Sequence, residues 1–125
     1  PAVKQISLLL LIGYCGLIFY LSHQPTLPVE PWLPHQDKLF HLIAYAGLAY
    51  LAINYFQYHT DRLNQAKIVS VLFCAFYGLS DEWHQSFVAG RDADIYDWFA
   101  DVSGAALLLL AARKSWFFKG VKKPQ

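Results

Sequence analysis

Four apolar stretches follow one another along the chain, and short polar segments separate them. They cover roughly Gln5–Leu21, Leu39–Tyr58, Ala66–Trp83 and Tyr96–Ala112. Each stretch has about 17 to 20 residues, close to the length that an α-helix needs to cross the hydrocarbon core of a membrane. The pattern therefore predicts an all-α fold, an integral membrane bundle of about four transmembrane helices.

The composition supports this prediction and argues against nucleic acid as a partner. Hydrophobic residues make up 56% of the chain and charged residues only 15%, whereas soluble domains have roughly 25% charged residues. The formal net charge is +1, so the chain lacks the strong positive charge typical of a nucleic-acid-binding protein. A length of 125 residues predicts one domain over residues 1–125.

The first apolar stretch and the connection after it each have two interpretations. Lys4 precedes the apolar run, as in a secretory signal peptide, but no cleavage site of small residues follows, which favours a membrane anchor. The connection over residues 22–36 has a proline at every third position from Pro25 to Pro34. This spacing predicts either a stiff loop or a polyproline II segment on the membrane surface, with Trp32 at headgroup depth.

Lysine and arginine residues are distributed unequally between the two sides of such a bundle. With four spans, both termini and residues 59–65 share one side, and that side holds eight of the ten Lys and Arg residues. Because positively charged segments stay in the cytoplasm, we expect cytoplasmic termini. The outer side then holds eight of the nine acidic residues, so the ionisable chemistry is expected at the outer membrane–water boundary.

The densest group of polar residues lies between residues 81 and 104. Six of the nine acidic residues fall there: Asp81, Glu82, Asp92, Asp94, Asp97 and Asp101. Spacings of three, four and three residues place four positions on one helical face, namely Asp94, Asp97, Asp101 and Gly104. Arg91 is predicted to extend that face. Glu82 and Gln85 share a helical face at the end of the preceding apolar stretch.

A second polar set begins the stretch 39–58. Asp37, His41 and Tyr45 recur at every fourth position, so they stack on one helical face. Asp37 is also predicted to cap the N-terminus of this helix. The sequence contains no motif for structural zinc, a phosphate-binding loop or a dinucleotide.

Two motifs of the chain resemble those of the VanZ-like family. Residues 37–45 read DKLFHLIAY, which is similar to the family's DKxxHxxxY. Residues 78–104 contain GxxxExxQxF, then Arg91, then DxxxDxxG, which is similar to the family's second motif. The family commonly has Asn where this chain has Asp101. The resemblance covers roughly Ser22–Leu110.

The resemblance implies a small multi-helix protein of the bacterial cytoplasmic membrane, and the distribution of lysine and arginine described above predicts that its active face is outward. The namesake of the family is associated with resistance to the glycopeptide teicoplanin. The family has also been proposed to act on lipid headgroups or lipid-linked envelope precursors. The implied partner is such a lipid or precursor, and the implied activity is hydrolysis or transfer at a phosphoester.

The residue types point to the same chemistry. Ionisable groups at the ends of membrane helices are costly to desolvate, so we expect them to converge on one cleft. Histidine ordinarily titrates near neutral pH, which makes His41 the natural proton carrier, with Glu82 or Asp37 orienting it. Arginine binds phosphate through a two-pronged fork. The expected substrate-binding residues are Arg91, Lys38, Gln85 and Tyr45.

Asp97 and Asp101 are predicted either to balance these positive charges or to hold a divalent cation. Carboxylates with one histidine favour a hard cation such as Mg²⁺ or Ca²⁺ over structural zinc, and no other cofactor is predicted. Three alternatives to an enzyme remain open: a polar network that only ties the helices together, a non-catalytic accessory protein that binds envelope lipids, and a proton or ion conduit. The conduit is the least favoured because the cytoplasmic halves of the spans contain few polar residues.

Overall fold

The computed structural model describes residues 2–25 and 32–118. Four α-helices make up most of this part of the chain: α1 (Ala2–His23), α2 (Gln36–Phe56), α3 (Leu63–Gln85) and α4 (Ile95–Ala111). Each apolar stretch coincides with one helix to within a few residues, and the described residues contain no strand, so the all-α prediction is confirmed. Residues 26–31 of the predicted polyproline II segment lie outside the described residues; Ser22 and His23 belong to α1, and His35 has a left-handed backbone.

The four helices run alternately up and down. His23, the last residue of α1, lies beside His84 near the end of α3, with ring nitrogens 3.0 Å apart. Lys38 in the first turn of α2 lies 2.7 Å from Asp97 in the first turn of α4. One end of the bundle, called the polar end below, therefore collects the last turns of α1 and α3 and the first turns of α2 and α4.

The outer surface of the bundle is apolar. Within residues 2–25 and 32–118, three segments are long and apolar enough to cross a membrane: α1, α3, and α2 together with the 3-10 turn Gln57–His59. Large apolar side chains are exposed along the helices, such as Leu9 and Leu110, whose exposed fractions are 67% and 80%. Soluble monomers rarely expose contiguous apolar surface of this extent, so this is the surface of a helical membrane bundle.

Small residues let α2 and α4 approach each other closely. Gly104 lies directly against the backbone of α2, where an added Cβ would collide with the carbonyl oxygen of Leu42. Ala49, Ala52 and Ala105 are fully buried. Membrane helices associate through such small residues because their backbones can then come into contact. The α2–α4 contact is the most extensive in the bundle, and it fixes how both helices present their polar residues.

The start of α2 differs from the prediction. His35 precedes the helix with a left-handed backbone (φ 56°), and no side chain caps the helix there. Asp37 lies inside the first turn, so the prediction that Asp37 is the N-cap was wrong. A carboxylate in the first turn still interacts favourably with the positive end of the helix dipole.

The start of α4 differs from the prediction that Asp94 and Arg91 lie on the polar face of this helix. Asp94 is the N-cap of α4, and its Oδ1 accepts a hydrogen bond from the backbone N–H of Tyr96 at 2.9 Å. Asp94 and Arg91 therefore lie in the connection before the helix, not on its face. The polar face of α4 consists of Asp97, Asp101 and Gly104, and the first two are buried.

Candidate functional site

The polar end brings together most of the predicted site residues. His41 and Tyr45 come from α2, Glu82 and Gln85 from α3. Asp97 and Asp101 come from α4. Except for His41, which is partly exposed, these side chains are buried. Three of the four helices therefore place polar groups in one small volume at the polar end of the bundle.

His41 is held between two aspartates of α4. Its Nδ1 lies 2.7 Å from Asp101 Oδ1, and its Nε2 lies 3.6 Å from Asp97 Oδ2. When Asp101 is ionised, its carboxylate accepts a hydrogen bond from the Nδ1–H group of His41. The sequence predicted Glu82 or Asp37 as the orienting group, and the structure gives that contact to Asp101.

Lys38 gathers three carboxylates around its ammonium group. Its Nζ lies 2.7 Å from an oxygen of Asp37, of Asp94 and of Asp97. Hydrogen bonding to Lys38, with help from the backbone of Tyr96, lowers the pKa of the Asp94 carboxyl from its usual value. The Asp37 side chain is 57% exposed, so Asp37 lies at the rim of the site. Lys38 thus ties α2 to α4 and to the connection before it.

Asp81 is a site residue that the sequence argument did not select. It is buried in α3, and its Oδ2 accepts a hydrogen bond from the Tyr45 hydroxyl at 3.3 Å. The Ser22 side chain at the end of α1 lines the same cleft as Asp81. Its position in the sequence could have identified it as a site residue, because it lies one turn after Gly78 and directly before Glu82.

Glu82 fastens the connection between α3 and α4 to the site. Its Oε2 accepts a hydrogen bond from the backbone N–H of Asp94 at 3.0 Å. Its Oε1 is buried and has no hydrogen-bond donor among the described residues. The same holds for Oδ2 of Asp101. Two carboxylate oxygens in the site therefore remain without a partner from this part of the chain.

A cleft of about 90 Å³ opens beside this cluster, between α1, α2 and α3. Part of its wall is apolar, formed by Ile18, Leu21, Phe40 and Ala44. The remainder is polar, formed by Ser22, His41, Tyr45, Asp81, Gln85 and Arg91. Arg91 reaches the cleft from the connection before α4, so four of the nine residues predicted for the site line this cleft.

Four side chains at the polar end lie close enough together that they could share a cation. One possible ligand atom from each of His41, Asp81, Glu82 and Asp101 lies within 4.8 Å of the others. Asp97, which was predicted to share a cation with Asp101, is instead held by Lys38. Of the two residues predicted to hold the cation, only Asp101 belongs to this set. The packing of the helices brings His41, Asp81 and Glu82 close to it.

Comparisons with known proteins agree with the resemblance seen in the motifs. A sequence profile of the VanZ/LLP1 family matches residues 17–118. An uncharacterised protein of Schizosaccharomyces pombe is 31% identical over 109 residues, which are 87% of this chain and 64% of that protein. The chain thus spans less than two thirds of the length of this relative. Because the relative comes from a yeast, a bacterial origin stays a prediction.

No solved structure matches the chain. The family profile, in contrast, spans both motifs and all the side chains described at the polar end. The chain therefore belongs to the VanZ/LLP1 family.

Proposed function

We propose that this protein binds the phosphate-bearing headgroup of a phospholipid or lipid-linked envelope precursor and acts on its phosphoester bond. The observation that supports this best is the divided lining of the cleft, apolar on one part and polar on the other. The cleft lies at the end of membrane-length helices. An amphiphile matches both parts, since its head can reach the polar residues while its tail stays in lipid.

Arg91 is the group best suited to hold the phosphate. It lines the cleft, and its guanidinium forms no ion pair with any residue in the described ranges. Guanidinium and phosphate form strong, paired hydrogen bonds. Lys38, which was also predicted to bind phosphate, is engaged with three carboxylates, so we assign it to holding the acidic residues in place.

His41 is the group that we assign to proton transfer. It lines the same cleft as Arg91, and Asp101 fixes its ring through Nδ1. A carboxylate on Nδ1 leaves Nε2 as the reacting nitrogen, as in other catalytic histidine–aspartate pairs. His41 would then exchange a proton with the attacking hydroxyl or the leaving oxygen of the phosphoester.

The alternatives differ in how well the buried residues support them. A proton or ion conduit needs polar groups that continue through the bundle, but the core beyond Tyr45 is built mainly of apolar residues such as Leu48, Ile53 and Leu109. A non-catalytic accessory protein that binds envelope lipids would use the same cleft and Arg91. Binding and turnover therefore have to be measured separately.

The role of Arg91 gives a first prediction. We expect the purified protein to retain phosphate-headed lipids over neutral diacylglycerol in native mass spectrometry. Arg91→Ala should weaken this retention about tenfold, and Arg91→Lys should restore part of it. Arg62→Ala is the matched control, because Arg62 is exposed and lies at the opposite end of the bundle, before α3. Equal retention of neutral and phosphate-headed lipids, or an equal loss in both variants, would reject the proposed headgroup site.

The location of the site gives a second prediction. A cysteine placed at the exposed Ala89, in a background with Cys15 and Cys74 changed to Ala, should react with a membrane-impermeant reagent on intact cells. A cysteine in place of Arg62 should react only after the cells are permeabilised. This contrast follows from the cytoplasmic placement of the lysine- and arginine-rich side. The reverse contrast would place the site on the cytoplasmic face and remove an outer-leaflet lipid as its ligand.

A further inference from the structure

Three buried carboxylates of the polar end lie close together: Asp81, Glu82 and Asp101, called the carboxylate cluster below. No lysine or arginine of the described residues forms an ion pair with any of them. One oxygen from each lies within 4.8 Å of the others. Like charges at this spacing and burial repel strongly. His41, which lies 2.7 Å from Asp101, is the one basic side chain in contact with the cluster among the described residues, and a bound cation would relieve the remaining repulsion.

Two oxygens of the cluster also lack a hydrogen-bond donor. Oε2 of Glu82 accepts a hydrogen bond from the backbone N–H of Asp94, and Oδ1 of Asp101 is hydrogen-bonded to Nδ1 of His41. The second oxygens, Glu82 Oε1 and Asp101 Oδ2, are buried and have no donor among the described residues. Asp101 Oδ2 faces α3 at Gly78, one turn before Asp81 and Glu82. Buried acceptors of this kind are normally paired, which points to a ligand at this position.

We infer that the carboxylate cluster binds one hard divalent cation, of the class of Mg²⁺, Ca²⁺ or Mn²⁺. Such cations take oxygen ligands at about 2.0 to 2.6 Å, so ligands on opposite sides are about 4 to 5 Å apart, as in the cluster. Ligating carboxylates are usually held by further hydrogen bonds. His41 supplies that bond to Asp101, and the Asp94 backbone supplies it to Glu82.

This site differs from the one predicted from the sequence. Asp97 and Asp101 were predicted to share the cation, but Lys38 neutralises Asp97. Asp81 and Glu82 of α3 take its place. His41 stays a hydrogen-bond partner of Asp101 through Nδ1, and the three carboxylates supply the cation ligands without it. The cation site does not depend on headgroup binding and is tested without added lipid.

The experiment is a Mn²⁺ titration of the full chain in detergent after treatment with a chelator, with unbound Mn²⁺ measured by electron paramagnetic resonance. We expect one Mn²⁺ per chain, displaced by Mg²⁺ or Ca²⁺. Glu82→Gln and Asp101→Asn should each weaken binding about tenfold or more, since even the loss of a group that supports a ligand costs that much. Asp92→Asn is the matched control, because Asp92 is exposed and outside the cluster.

A second measurement is made first on the unaltered protein, so it tests the cation site even if a substitution prevents folding. The thermal midpoint of the unaltered protein should rise by several degrees with saturating Mg²⁺, Ca²⁺ or Mn²⁺ and fall with chelator, since a ligand of the native state stabilises it. In Glu82→Gln, which keeps the side-chain shape, this rise should disappear. The inference is overturned by the absence of saturable Mn²⁺ binding, by equal losses in Asp92→Asn and Glu82→Gln, or by a thermal midpoint that no divalent cation changes.

Discussion

Replacing Gly104 with alanine is expected to lower the free energy of unfolding by about 3 kcal/mol, at the upper end of the cost of overpacking a close contact. The new Cβ would collide with the carbonyl oxygen of Leu42 and crowd its carbonyl carbon. Both atoms belong to the backbone of α2 and cannot rotate away. α2 and α4 would have to separate, and this pair makes the most extensive helix contact in the bundle.

Two other glycines provide controls for this substitution. Gly16→Ala should leave stability unchanged or raise it slightly, because an added Cβ there meets nothing within 4 Å and alanine is the better helix former. Gly47→Ala should fall between the two, since its Cβ meets the movable ring of Tyr14. The measurement is the thermal midpoint in detergent. A midpoint for Gly104→Ala equal to that of Gly16→Ala would show that α2 and α4 do not pack through this contact.

The close approach at Gly104 also explains the arrangement of the site. It brings the first turns of α2 and α4 side by side, with Lys38 against Asp97 and His41 against Asp101. A separation of these helices by even 1 Å would break hydrogen bonds of 2.7 Å. We therefore expect Gly104→Ala to weaken both cation binding and lipid binding at the polar end, although residue 104 itself contacts neither ligand.

The helices were predictable from the sequence because local patterning determines them. Apolar stretches of membrane length gave all four helices to within a few residues. The four-residue spacing of Asp37, His41 and Tyr45 correctly placed the latter two on an inward face. Such patterns depend only on the geometry of one helix.

The pairing of residues between helices was not predictable in the same way. The sequence offered Glu82 or Asp37 as the partner of His41, but the partner is Asp101. That choice depends on how α2 and α4 rotate about their axes where Gly104 meets Leu42. The role of Asp94 as a helix cap depends likewise on where the helix begins, which spacing alone left open.

The largest functional effect is expected for His41→Gln. Glutamine retains a hydrogen-bonding side chain beside Asp101 but cannot exchange a proton near neutral pH. Turnover of a bound phosphate-headed lipid should fall by about 10²-fold or more, while binding of that lipid stays largely intact. His59→Gln is the matched control, because His59 lies in the 3-10 turn at the opposite end of the bundle.

Arg91→Ala should show the complementary loss when it is measured beside His41→Gln. Arg91 lines the cleft but makes no ion pair among the described residues, so its removal should weaken binding first and lower turnover only through reduced occupancy. At saturating lipid the two variants therefore separate: Arg91→Ala recovers turnover, and His41→Gln does not. Unchanged turnover in His41→Gln together with lost binding in Arg91→Ala would identify the protein as a lipid binder and exclude His41 as a catalytic residue.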